Sequence, residues 1–451
     1  MPRTDHPSVE SLSLFLAGSL INREERRSVV SHLLIQCQQC GAALQSFRDA
    51  YLTSDYDRAF SRASFAAQLA QIERKEQKDS AAKLWDWLKE SEHPFRLQIV
   101  RGNPLFQTIE FFNHIAKMVR VACRLDVLYG VDLAELALEI ALRLPENQYG
   151  TGLIHDCRGQ AFSNVGMVKT RAGDLVGASE ALEFARRELM YGSGDMIEDA
   201  MLGVNTANLL YAVGLFLEGA TLLTRVISMF RKTGDFRGVA LTLIQQAYIV
   251  AHVDPARAIE IAEEGLAMLI QVDKTGKLDI AELSARHTLA RCYLSLGEVE
   301  EADSIVETYT YLYARHSDPQ IVGDYLWLKG RIALANQRYQ DAESFLDNAA
   351  NTYMQAHLYF DATLLAIDRV QVRLLLREPH EAISLARKVG RQLGEWGLTG
   401  DSLQLWASLV NAVAEGTFLA SDYPKIISAH LRATWIPRPC GVKLEGGKPS
   451  L

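Results

Sequence analysis

The stretch FSNVGMVKTRAGDLVGASEALEFA, from Phe162 to Ala185, decides the fold. It reads as two helices broken at Gly173-Asp174, the residue types that end one helix and cap the next. Gly166 in the first helix and Ala178 in the second are small residues placed where antiparallel helices must cross closely. Phe162, Val165 and Leu182 are large enough to fill the space around that crossing. The stretch is one helical hairpin.

The same recipe recurs along the chain. Gly166 and Ala178, Ala207 and Gly219, Ala290 and Ala302, and Gly330 and Ala342 are each twelve residues apart. The unit around Ala247 and Ala258 is one residue tighter, with HVDPA as its turn and Asp254-Pro255 opening the second helix. A weaker unit centres on Val370 and Ala382 with the turn REPHE, and an earlier one is expected between Phe111 and Leu144 with GVDLA as its turn. Turn-rich links separate the hairpins: YGSGD (191–195), RKTGD (231–235), KTGKLD (274–279), RHSDP (315–319) and GLTGD (397–401). Each hairpin leaves apolar surface that only its neighbours can cover, so the array predicts one continuous core. The segment 402–416 is expected to close the array, DYPKIISAHLRATWIP to dock as one more helix, and GVKLEGGKPSL to be disordered.

Units of this design resemble tetratricopeptide repeats, although successive units start about 40 residues apart where the common repeat has 34. HEAT-type repeats have a similar period; the small-residue spacing favours the tetratricopeptide kind. The resemblance implies an all-α, right-handed α-α superhelix whose first helices line a concave surface. Asn164, Met167, Arg171, Asn205, Asn208, Tyr211, Gln245, Tyr248, His287, Arg291, Trp327, Arg331, Asp368 and Gln371 would then face inward. Amides suit an extended peptide backbone and arginines a carboxylate, so this wall is the candidate partner-binding surface, with Asn164, Arg171, Asn205, Asn208, Tyr248, His287, Arg291, Trp327 and Arg331 as its leading residues.

The N-terminal fifty residues are different. Two short amphipathic helices are expected over 8–16 and 22–34, the second with an Asn22/Glu25 capping box. Then comes HLLIQCQQC (32–40) and a further helix from 41 to 51. A Cys37-x-x-Cys40 turn can aim two thiolates at one metal, His32 can supply a third ligand and His6 a fourth. Such a His2Cys2 set suits structural zinc, and a segment with almost no core of its own needs that staple. The alternatives are free cysteines beside a surface histidine, or a redox pair, which lacks its usual βαβ setting. This pattern resembles the zinc-binding domain of bacterial anti-sigma factors, where His-x3-Cys-x2-Cys is common; here four residues separate His32 from Cys37. The connector motif GNPLFQT (102–108) resembles that of bacterial proteins combining such a head with repeats.

Composition narrows the function. A net charge of −8 disfavours direct binding to nucleic acid or an anionic membrane. No apolar run approaches the roughly 20 residues of a membrane span, MPRTDHPSVE has no apolar signal core, and six mostly scattered cysteines suit a reducing, cytoplasmic setting. His155-Asp156-Cys157 diverge around a helix. There is no GxGxxG or GxxxxGK[ST], and KTGK (274–277) lacks the glycine a phosphate loop needs. The chain is therefore read as a non-enzymatic adaptor or regulator: a zinc-binding head (1–51), a helical connector (52–110), repeats (111–416) and a C-terminal helix and tail (417–451). The resemblance implies a sigma factor as the head's partner, with Arg23, Arg26 and Arg27 near that interface, although anti-sigma factors usually carry a membrane span after the zinc domain and this chain does not. The competing expectation is a scaffold subunit of a larger bacterial complex, controlling a protease or nuclease, with a purely structural head.

Overall fold

At Gly173, Gly214 and Gly297 the first helix of a hairpin ends in the left-handed region, with φ between 81° and 85°. The following N–H reaches back to close the helix end: Asp174 to Lys169 O at 2.9 Å, Leu215 to Leu210 O at 2.8 Å, Glu298 to Tyr293 O at 2.9 Å. Glycine enters this conformation without the Cβ clash that other residues meet. Gln337 and Arg377 make the same turn at φ 60° and 63° despite their side chains.

These turns organise a computed structural model that describes residues 6–53 except 18, 21 and 36, residues 80–395 except 274–278 and 357, and residue 415. Among the described residues there is no strand. Three helices form the head: α1 (Val9–Leu16), α2 (Arg23–Leu34) and α3 (Gln38–Thr53). A helix over 80–88 (α4) and α5 (His93–Gly102) lead into the array. The hairpins that follow are α6 (Ile109–Leu125) with α7 (Val127–Ala141), then, past the short α8 (Glu146–Tyr149), α9 (Thr151–Ala172) with α10 (Leu175–Met190). Next come α11 (Met196–Ala212) with α12 (Phe216–Lys232), and α13 (Phe236–Val250) with α14 (Pro255–Val272). The fifth pairs α15 (Asp279–Leu296) with α16 (Val299–Thr308) and its extension α17 (Thr310–Ala314); the sixth pairs α18 (Pro319–Ala335) with α19 (Tyr339–Gln355), and the seventh α20 (Tyr359–Leu375) with α21 (Pro379–Glu395). Within the array the hairpin helices pack in consecutive neighbouring pairs, which makes it an α-helical solenoid. The segments 397–401, 402–414 and 416–451 lie outside the described residues, as does most of the 274–279 link.

The crossing residues sit where their spacing predicts. Ala178, Ala207, Ala247, Ala258, Ala290, Ala302 and Ala342 are fully buried. A Cβ added to Gly166 would meet Ala178 O at 3.3 Å, one on Gly219 Ala207 O at 3.4 Å, and one on Gly330 Ala342 O at 3.4 Å. The first hairpin corrects one expectation: GVDLA lies inside α7 and is no turn. The chain reverses at Asp126, whose side chain accepts from Tyr129 N. Gly130 is instead a crossing residue, because a Cβ there would lie 2.8 Å from Cys123 Cα.

Trp85 and Leu88 of the connector are buried in one cluster with Phe111, Phe112 and Ile115, so the segment covers the open end of the first hairpin. The solenoid also bends back on itself. Val127 at the start of α7 belongs to the same apolar cluster as Ala333, Leu346, Tyr353 and Leu365, and α6 touches α18. The head packs against the solenoid's side, α2 on α14, and Leu12, Phe15, Val29 and Leu33 share a core with Phe230, Val239 and Leu269.

Candidate metal centre and polar wall

The head brings its four candidate ligands together. Asn22 caps α2 by accepting from Glu24 N and Glu25 N, and His32 sits in that helix's last turn. Beyond Leu34 the chain turns so that Cys37 N donates to His32 O at 3.0 Å, which absorbs the four intervening residues. Cys37 O then accepts from Gly41 N at 2.9 Å, placing Cys37 at the N-terminus of α3 and Cys40 in its first turn. His6 comes from the segment before α1.

The ligand atoms of His6, His32, Cys37 and Cys40 all lie within 4.8 Å of one another. His6 Nδ1 is 3.4 Å from Cys37 Sγ and 3.6 Å from Cys40 Sγ; His32 Nδ1 is 3.7 Å from Cys40 Sγ. A tetrahedral zinc with Zn–N of about 2.0–2.1 Å and Zn–S of about 2.3 Å separates a nitrogen from a sulfur ligand by about 3.6 Å. These three nitrogen–sulfur separations are close to that spacing, and the four residues together could hold a metal ion. Cys37 is drawn down to about 6, first by the Cys40 backbone N–H and then by His32, so its thiolate is accessible at neutral pH. Burial, then the neighbouring Cys37, pushes Cys40 up to about 11. Cys40 and His32 are buried, whereas His6 is exposed and forms the outer side of the site.

The first helices of successive hairpins form a second candidate surface. Gln245 donates to Asn208 between α13 and α11. Tyr211 and Tyr248 hydroxyls lie 3.1 Å apart, Tyr211 also meets His252 at 3.3 Å, and Arg291 donates to His252 at 3.1 Å while lying over the Tyr248 ring. His287 bonds Tyr313 at 3.0 Å; burial, then Arg291 and Arg331, drive its imidazole down to about 3, which keeps it neutral. Trp327 donates to Asp368 at 2.6 Å, and Arg331 approaches the same carboxylate at 3.9 Å.

The wall differs from its expected form in two ways. Asn164 and Asn205 are buried, and Asn205 donates to Ser163 Oγ at 2.8 Å, so it ties α11 to α9. And the bend brings distant charges together: Arg171 of α9 acts on the carboxyls of Asp324 in α18 and Asp361 in α20. Burial and the Asp361 charge push Asp324 up to about 7, and burial pushes Asp361 up to about 6. Arg171 is among the wall residues that the sequence singles out; the two aspartates are not. The only signal for them was their place on first helices, which many solvated residues share.

Arg23, Arg26 and Arg27 face Glu260 and Glu264 of α14. No known protein family matches the chain, and no characterised protein matches it either. No described helix is long and apolar enough to cross a membrane.

Proposed function

We propose that this chain is a non-enzymatic adaptor or regulator: a zinc-stapled head of the anti-sigma type on a tetratricopeptide-like superhelix that holds a protein partner along its first-helix wall. The observation that carries this reading is the pooling of Asn208, Tyr211, Gln245, Tyr248 and Arg291, from three successive hairpins, into one polar and aromatic patch, with Trp327 bonded to Asp368 on the hairpins that follow. Amides and hydroxyls of that kind hold an extended backbone, while Arg331 and Arg291 suit a carboxylate. Zinc on His6, His32, Cys37 and Cys40 would fix the ends of α2 and α3 relative to the segment before α1. A sigma factor is the partner proposed for the head.

A second reading has its own support. The head's apolar residues share a core with the fourth hairpin, as a folding cap would, and this favours a scaffold subunit with a structural head. Affinity purification of the full chain from its native cell, with mass spectrometry of co-purifying proteins, separates the two. Capture of a sigma factor that is lost when Cys37 and Cys40 become Ser supports the regulator. Capture of a protease or nuclease that survives those substitutions supports the scaffold, and absence of any protein partner overturns both.

A further inference from the structure

The seam between head and solenoid is arranged so that it can open without orphaning a charge. Arg23 Nε donates to Glu260 at 2.9 Å, Arg27 lies 3.7 Å from the same carboxylate, and Arg26 lies 3.7 Å from Glu264. Each glutamate also has a cation from the solenoid itself: Arg257 at 2.7 Å from Glu260 and Arg231 at 3.3 Å from Glu264. Arg26 keeps a further bond inside the head, donating to Leu20 O at 2.8 Å. Separating a buried ion pair is normally opposed by the unpaired charge left behind. Glu264 is 7% exposed, yet after separation it still has Arg231. A half-open pocket of about 20 Å³ also lies on the seam, where Leu16, Leu44 and Gln45 of the head face Phe236, Met268 and Gln271 of the solenoid.

We propose that α2 is a docking surface for an amphipathic helix of a partner protein bearing two carboxylates four residues apart, and that α14 occupies this surface in cis. Glu260 and Glu264 have that spacing, and Ile261 and Met268 of the same helix are buried in the core shared with Val29 and Leu33. The partner helix must offer the same pattern, acidic at i and i+4 with apolar residues beside them, because Arg23, Arg26 and Arg27 project from successive turns of one α2 face. It must also displace a tethered competitor present at an effective concentration of order millimolar. The head is thus stowed until such a helix arrives. This deepens the adaptor reading by naming the chemistry of the head's partner.

The test uses the full chain and a labelled peptide with the sequence of α14 itself, PARAIEIAEEGLAMLIQV. Fluorescence anisotropy measures its binding, and hydrogen exchange reads the seam. Glu260→Arg repels Arg23 and Arg27 and should weaken the cis contact, so that this variant binds the peptide about tenfold more tightly than the unmodified chain, the factor that two surface ion pairs together supply. Amide exchange in α2 should quicken in step while the first and sixth hairpins stay protected. Adding Arg23→Glu and Arg27→Glu to Glu260→Arg rebuilds a complementary seam and should restore slow exchange. A peptide with Glu260 and Glu264 replaced by glutamine, and Glu263 kept, should bind about tenfold more weakly. Equal peptide binding by the unmodified chain and Glu260→Arg, failure of the swapped charges to restore protection, or faster exchange through the whole solenoid would each overturn the proposal. Peptide binding with no partner recovered from cells would count against the adaptor reading and leave the docking surface standing.

Discussion

Gly166→Ala is the perturbation that bears hardest on the hairpin crossing. The added Cβ would lie 2.6 Å from Leu182 Cγ and 2.7 Å from its Cδ2, with Ala178 O at 3.3 Å. Carbon atoms in contact sit about 3.5–4.0 Å apart, so Leu182 must retreat by about 1 Å. It is 5% exposed, inside a packed cluster with Ala178 and Ala185, and has little room to do so. Overpacking of this sort costs about 1–3 kcal/mol, while alanine in place of glycine inside a helix returns about 1 kcal/mol. The expected net is a destabilisation of about 1 kcal/mol. Gly102, the last residue of α5, is the internal control: its added Cβ would meet nothing within 4 Å, so Gly102→Ala should stabilise by a few tenths to about 1 kcal/mol. Urea unfolding followed by circular dichroism compares the two, and hydrogen exchange in α9 and α10 localises the effect. Leu182→Ala in the Gly166→Ala background should relieve the clash, giving a double variant about 1 kcal/mol more stable than the sum of the singles. A Gly166→Ala chain stabilised like Gly102→Ala would refute the close crossing.

Three further outcomes are expected. The purified chain should hold about one zinc ion per molecule by plasma mass spectrometry, lost in Cys37→Ser with Cys40→Ser, and cobalt in its place should show the absorption of tetrahedral sulfur–nitrogen coordination. Gln337→Gly should raise stability by up to about 1 kcal/mol in thermal unfolding, since a left-handed side-chain residue costs about 1–2 kcal/mol and glycine's extra chain entropy offsets part of the gain. Asp324 has its folded pKa raised to about 7, with Asp361, Arg171, Arg291 and the Tyr353 hydroxyl acting on it. Its contribution to stability is therefore full in acid, where it is protonated in both states, and falls as pH rises through about 7. Asp324→Asn should be about 1–3 kcal/mol more stable than the unmodified chain near pH 8, with the difference vanishing near pH 4 in denaturant titrations.

The hairpins were legible because close crossing demands small side chains at a fixed spacing, and twelve-residue pairs such as Gly330 and Ala342 carry that demand openly. A second row of small residues accompanies the first. Gly159, Ala200, Ala240 and Gly323 stand seven residues before Gly166, Ala207, Ala247 and Gly330. Gly159 lies at a tight contact on Leu189 and Gly323 on Tyr353, while Ala200 and Ala240 are fully buried. In the first hairpin Gly130 and Asp132 look like turn residues, whereas the true reversal at Asp126 carries no glycine. The ligand set was readable because a paired thiol motif and nearby histidines are rare and local. The wall was not, since burial of Asn164 and Asn205 and the approach of Arg171 to Asp361 depend on how far the solenoid bends, a sum of small rotations that no single residue states.

The contact between the first and sixth hairpins has a consequence for how this architecture can vary. An open array of stacked units can gain or lose one and merely change in length. Here Val127 shares one apolar cluster with Ala333 and Tyr353, and α6 touches α18, so deleting or duplicating a unit would leave the two ends misaligned and expose both faces of the join. The number of hairpins between α6 and α18 is thereby locked, much as the number of staves is locked in a hooped cask.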